Sequence, residues 1–175
     1  MWDRFSPFDV WIGDFGDDIK NPAGYMYYNT GSMITAILLT LFYPGLYEWR
    51  TASRIRNILL GMGITIGSIS GVLLFLTGYV STHVQPLHLQ LSVLFFALTL
   101  FAITFVCLAL AGLPKYSEAA LCMGVTTVAL TLILALSYAL DIEPIIVQWF
   151  TGFALLAWVG FTARDSFTMG KEPTR

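Results

Sequence analysis

Long apolar stretches, separated by short polar segments, constrain the fold of this chain more than any other feature of its sequence. A transmembrane helix needs about 20 predominantly apolar residues. Only 11% of the 175 residues are charged, against about 25% in a soluble domain, and the mean hydropathy is +0.73. The sequence therefore predicts an all-α fold, a polytopic integral membrane helical bundle with five transmembrane helices, near residues 30–48, 57–80, 89–113, 118–140 and 143–163.

The connections between these predicted spans are short, so consecutive helices are expected to be antiparallel neighbours in one membrane domain covering residues 1–175. Basic residues are retained on the cytoplasmic side of a membrane. Seven of the nine Lys and Arg residues follow the first, third or fifth span: Arg50, Arg54, Arg56, Lys115, Arg164, Lys171 and Arg175. This pattern predicts an outer N-terminus and a cytoplasmic tail at residues 164–175.

Charge and composition exclude several classes of function. The net charge is −2 and the basic residues are scattered, so nucleic acid is not an expected partner. The middle of each predicted span lacks Asp, Glu, Lys and Arg, which disfavours proton relays, voltage sensors and ion-coupled transporters. The sequence indicates no cofactor, and the cofactor is left unassigned.

An acidic and aromatic segment, residues 1–29, precedes the first predicted span. Five of the eleven acidic residues lie within the first eighteen positions. Aromatic side chains with an apolar body and a polar tip favour the membrane interface, so we expect this segment to lie on the outer membrane surface. Its carboxylates are either a solvated edge or part of a site, and the sequence leaves both interpretations open.

The polar residues expected on the outer face form a candidate ligand cluster. This cluster consists of Asp14, Asn29, His88 and Gln148. Carboxylate and imidazole groups suit either acid–base chemistry, with Asp14 and His88 as catalytic candidates, or a divalent metal bound by Asp14, His83 and His88.

Each member of this cluster also has a structural interpretation. Asp14 and Asn29 are expected to cap helical turns. His88 is expected to begin a helix and to bond a nearby carboxylate or carbonyl, and His83 is expected to be an exposed side chain.

Three glycines recur every four residues in the second predicted span, at Gly63, Gly67 and Gly71. Small residues at this spacing let helices approach closely in a membrane. We therefore expect this glycine face to be a helix-packing surface. The alternative is that the face leaves room for a lipid chain.

Three stretches resemble a mainly bacterial and archaeal membrane family known as domain-of-unknown-function 998: "FSPFDVWIGDFG", "NPAGYMYYNTGSMITAILL" and "LTGYVSTHVQPLHLQLSVLFF". The resemblance covers roughly residues 5 to 110. Asp14 and Gly16 match an acidic-glycine element of that family, and His88 matches a histidine that opens one of its spans. Asn21, Pro22 and Asn29 match the element between them.

The resemblance implies a prokaryotic plasma membrane and a distant similarity to FRAG-like and autophagy-modulator-like membrane proteins, which are linked to lipid remodelling. Those proteins have six helices, and the one expected just before "FSPF" is not in this sequence. The difference in helix number has three explanations: a sequence that starts late, a genuine five-helix protein, or a first helix supplied by another chain. An exposed groove at that position would favour a second copy or another membrane chain as partner.

Three functional hypotheses follow. The leading one is a non-enzymatic protein that binds or organises membrane lipids. The second is a lipid hydrolase at the outer membrane face that uses Asp14 and His88, either around a metal or as an acid–base pair. The third is a subunit or assembly partner of a membrane complex.

Overall fold

Five long helices account for most of the chain in the computed structural model, which describes residues 6–170. Within that range, all five are long and apolar enough to cross a membrane. They are α1 (Tyr25–Gly45), α2 (Arg54–Tyr79), α3 (Leu87–Leu110), α4 (Glu118–Ala139) and α5 (Ile145–Gly170). The predicted all-α bundle with five candidate spans is confirmed, and the chain is an integral membrane protein. The first five residues of the predicted interfacial segment and the last five of the predicted tail lie outside the described residues.

Local hydrogen bonds explain where the helices differ from the predicted spans. α1 begins at Tyr25, five residues earlier than expected, because the Asn21 carbonyl accepts from the backbone N–H groups of Gly24 and Tyr25 and starts the first turn. α3 ends at Leu110, three residues early, since Gly112 has φ +75° and reverses the chain. α5 continues through the first part of the predicted tail to Gly170.

The glycine face of α2 contacts both neighbouring helices. Gly63 lies against Val106 and the backbone of α3, whereas Gly67 lies against the ring of Tyr43 in α1. Gly71 lies against the backbone of Thr40, also in α1. Protein atoms, rather than a lipid chain, therefore cover this face.

A buried aromatic cluster joins the helices near one end of the bundle. Trp158 of α5 is fully buried and meets Phe42 of α1 edge to face at 5.7 Å. Its indole N–H donates to the Tyr116 hydroxyl over 3.2 Å. Trp49, just after α1, donates to the Ser166 hydroxyl of α5 over 2.8 Å. These contacts connect α1 to α5 at this end.

A short 3-10 helix, Ile12–Gly16, lies across the opposite end of the bundle. Trp149 of α5 donates to the Val10 carbonyl over 2.9 Å. Thr82, in the loop between α2 and α3, donates to the Gly13 carbonyl over 2.7 Å. The N-terminal segment is therefore held to two separate parts of the bundle.

Candidate functional site

His88 lies in the first turn of α3 and is about nine-tenths buried. Its Nδ1 is 2.7 Å from the Val80 carbonyl oxygen at the end of α2. A carbonyl oxygen only accepts hydrogen bonds, so Nδ1 must carry the proton. This contact fixes the loop between α2 and α3 in the way that the structural interpretation of His88 expected.

Asp14 is a buried ion-pair partner rather than a cap. Its Oδ1 accepts from Lys20 Nζ over 2.6 Å. The capping role belongs instead to Asp17, whose Oδ1 accepts from the backbone N–H groups of Ile19 and Lys20. The prediction that Asp14 caps a turn was wrong because Asp17 lies directly before the turn whose N–H groups need an acceptor.

Asn29 lies inside α1 and does not cap it. Because the helix begins at Tyr25, the side chain of Asn29 projects from the second turn, and its Nδ2 donates to the Gly16 carbonyl over 3.1 Å. Gly16 has no side chain, which leaves room for this amide. The prediction that Asn29 caps the first span was wrong, but the residue does connect α1 to the N-terminal segment.

His83 is exposed, as expected, but it is also paired. Its Nδ1 donates to Asp18 Oδ1 over 2.5 Å, and the Ser81 hydroxyl donates to the same oxygen over 3.2 Å. Desolvation alone raises the pKa of Asp18, but the hydrogen bonds from His83 and Ser81 outweigh it and hold that pKa below its ordinary value. The three side chains attach the N-terminal segment to the loop between α2 and α3.

The metal hypothesis required Asp14, His83 and His88 to converge as ligands. Within residues 6–170, no group of three or more His, Cys, Asp and Glu side chains is arranged to hold a metal ion. His83 is instead turned to Asp18, and Asp14 to Lys20. The three predicted ligands therefore line one cavity, described below, without being arranged around a metal ion.

An apolar cavity of about 460 Å³ lies between α1 and α5, beneath the 3-10 helix, and residues of α2 and α3 complete its wall. Its walls are mainly aromatic and aliphatic, and include Tyr28, Gly31, Phe95, Trp149, Phe153 and Leu156. Two of these wall side chains are also exposed on the outside of the bundle, Phe153 by 60% and Leu156 by 55%. Part of the cavity wall therefore also belongs to the exposed surface of the candidate transmembrane helices.

A second cavity, of about 510 Å³, has a mixed wall, in which polar and charged side chains stand beside Trp11, Leu89 and Tyr138. It lies against the N-terminal segment and the loop between α2 and α3, and is lined by Asp14, Asp17, Lys20, Thr82, His83 and Gln85. We call the two spaces the apolar cavity and the polar cavity. Both are lined by the same four residues, Gly13, His88, Ser92 and Gln148, which we call the neck.

The neck brings together two of the four residues of the predicted ligand cluster, His88 and Gln148. Asp14 lines only the polar cavity, and Asn29 lines neither cavity. Sequence reasoning missed Ser92, although it lies four residues after His88 and hence on the same face of α3. It also missed Gly13, which carries no chemical signal because its contribution is the absence of a side chain.

Comparisons with protein-family models, with curated proteins and with solved structures find no match to this chain. By its fold and its two cavities, the protein is a polytopic integral membrane protein whose helical bundle contains an apolar cavity beside a polar one. The resemblance to the domain-of-unknown-function 998 family stays a prediction.

Proposed function

We propose that this protein binds a membrane lipid in the apolar cavity and is not an enzyme. The observation that carries the proposal is the cavity itself: it lies between two candidate transmembrane helices, its walls are apolar, and some of its wall residues face the membrane. Its volume of about 460 Å³ falls in the range of roughly 300–1,000 Å³ typical of small-molecule sites.

The depth of the apolar cavity agrees with a lipid from one leaflet. On α5 the wall extends from Gln148 to Leu156, which at 1.5 Å per residue is roughly 12 Å. One leaflet supplies about half of a hydrocarbon core that is about 30 Å thick. An acyl chain entering between α1 and α5 would therefore remain in its own leaflet.

The same proposal includes the orientation of the protein, with the neck at the outer face of a prokaryotic plasma membrane and the C-terminus in the cytoplasm. Arg50, Arg54 and Arg56 surround the connection from α1 to α2, Lys115 lies between α3 and α4, and Arg164 lies near the end of α5. All five are at the end of the bundle opposite the 3-10 helix, in agreement with the preference of basic residues for the cytoplasmic side.

A matched pair of substitutions tests lipid binding. Gly31 lines the apolar cavity and has open space where a Cβ would lie, whereas Gly160 has equally open space on a part of α5 that does not line it. Gly31→Leu should fill part of the cavity and Gly160→Leu should not, while both exchanges bring the same gain in helix propensity.

The measurement is native mass spectrometry of the detergent-purified proteins, which detects lipid retained by each. The wild type and Gly160→Leu should carry lipid, and Gly31→Leu should carry much less at a melting temperature close to that of Gly160→Leu. Equal lipid retention by all three proteins, or none by the wild type, would overturn the proposal.

A further inference from the structure

The arrangement of the two cavities specifies what kind of lipid would fit. We infer that the ligand is a single-chain lipid with an uncharged, hydroxyl-bearing headgroup, of the monoacylglycerol type, with its chain in the apolar cavity and its headgroup at the neck. This inference rests on the lipid-binding function proposed above and adds the chemistry of the headgroup.

The two cavities share the four residues of the neck. A molecule whose chain fills the apolar cavity therefore has its other end beside the polar side chains of the neck. An amphiphile matches these surroundings, whereas a purely apolar molecule would leave His88 Nε2 and Gln148 Nε2 without a partner. Buried polar groups are normally hydrogen-bonded.

His88 supplies a hydrogen-bond acceptor at Nε2, the ring nitrogen that does not contact Val80. Since Nδ1 donates to the Val80 carbonyl, Nε2 of the neutral ring is an acceptor. No described residue makes a hydrogen bond with Nε2, although the residue is about nine-tenths buried and lines both cavities. A ligand hydroxyl would donate to this nitrogen.

Gln148, the α5 residue of the neck, supplies a hydrogen-bond donor. Its Oε1 accepts from the backbone N–H of Ile12 over 3.0 Å. This contact orients the amide and leaves Nε2 as a donor that no described residue accepts from. The neck therefore offers one acceptor and one donor, which suits a hydroxyl and an ester carbonyl carried on the same headgroup.

Charge selects among the possible headgroups. The carboxylates of Asp14 and Asp17 line the polar cavity, and Lys20, the one Lys or Arg among its described lining residues, is bonded to Asp14. This excess of negative charge disfavours a phosphate or carboxylate headgroup. The combined requirement for a hydrogen-bond donor, a carbonyl and no negative charge is met by a glycerol monoester.

A panel of four oleoyl or long-chain probes tests the headgroup. Native mass spectrometry titrations of the full-length protein would compare monooleoylglycerol with methyl oleate, which has no hydroxyl, with oleoyl lysophosphatidic acid, which is anionic, and with sphingosine, which is cationic. We expect monooleoylglycerol to bind about tenfold more tightly than methyl oleate, the effect of one to two net hydrogen bonds.

Two variants assign this preference to His88. In His88→Asn the shorter amide can still donate to the Val80 carbonyl but does not reach the position of Nε2. In Gly13→Ala the added methyl lies 3.4 Å from Nε2, which is an ordinary contact that the fold accommodates, and it narrows the approach to that nitrogen. In each variant the affinity for monooleoylglycerol should fall to that for methyl oleate. The affinity for methyl oleate itself should equal that of the wild type.

The outcomes separate this inference from the proposed function. If methyl oleate and monooleoylglycerol bind equally well and both are lost in Gly31→Leu, lipid binding stands and the headgroup assignment fails. If the anionic or the cationic probe binds most tightly, the assignment of an uncharged headgroup is overturned. If none of the four probes binds, the proposed function fails and the inference fails with it.

Discussion

Replacing Gly67 with alanine should destabilise the bundle, although alanine is the better helix former. A Cβ at this position would overlap three ring carbons of Tyr43, Cδ1, Cε1 and Cζ. Carbon atoms normally approach to roughly 3.5–4.0 Å, so either the ring or α1 must move by about 1 Å. The ring cannot move freely because Tyr43 is fully buried beside Phe42 and Trp158.

The magnitude follows from a comparison with Gly61, which is exposed on α2 and has no atom near its virtual Cβ. Both exchanges gain up to about 1 kcal/mol of helix propensity. Only Gly67→Ala also incurs the overpacking cost of about 1–3 kcal/mol. The difference in free energy of unfolding between the two variants should therefore be about 1–3 kcal/mol, with Gly61→Ala the more stable.

Unfolding by SDS titration, followed by tryptophan fluorescence, measures this difference. Tyr43→Leu provides a further control, since the smaller side chain removes the overlap and should reduce the cost of Gly67→Ala in a double-mutant cycle. Equal stability of Gly61→Ala and Gly67→Ala would refute the packing of α2 against α1 through Gly67.

Two further predictions concern polar contacts at opposite ends of the bundle. Desolvation raises the pKa of Asp18, but the hydrogen bonds from His83 and Ser81 lower it by more, so the pKa in the folded protein lies below the ordinary 3.8. The contact of Asp18 therefore stabilises the docked N-terminal segment above that ordinary value, and this stability is lost as the pH falls through the folded pKa. Limited proteolysis by pepsin should become faster over that interval in the wild type, and Asp18→Asn should not show this step. At the other end, Asp165 Oδ2 accepts from the Ser117 N–H at the start of α4 over 2.8 Å. Asp165→Ala should therefore lower the free energy of unfolding by about 1–3 kcal/mol, and Asp165→Asn, which keeps an acceptor, should lower it less. Equal melting temperatures for the two variants would contradict this role.

The helices could be predicted because hydropathy and length are local properties. Each of the five spans contains an apolar window that needs no knowledge of its neighbours. The start of α1 was placed too late because three of its first four residues, Tyr25, Tyr27 and Tyr28, are polar aromatics. Their sequence is typical of a membrane interface, but the Asn21 carbonyl begins the helix there.

The partners of the polar residues could not be predicted because they depend on contacts between distant parts of the chain. Asn29 reaches back 13 residues to Gly16, and Gln148 reaches back 136 residues to Ile12. Residue type alone identified His88 and Gln148 as members of one cluster, but it could not show that both residues line two separate cavities. The apolar cavity was also invisible in the sequence, since α1 and α5 are far apart along the chain.

Photochemical labelling in the membrane tests the central claim, that a lipid occupies the apolar cavity between α1 and α5. A monoacylglycerol with a diazirine in its acyl chain would be activated in proteoliposomes, and the labelled peptides would be identified by mass spectrometry. The account predicts adducts concentrated on the cavity walls, at Gly31 to Thr35 and at Gly152 to Leu156, and their loss in Gly31→Leu. Adducts spread evenly over exposed positions of other helices, such as Leu132 and Ile133 on α4, would contradict it.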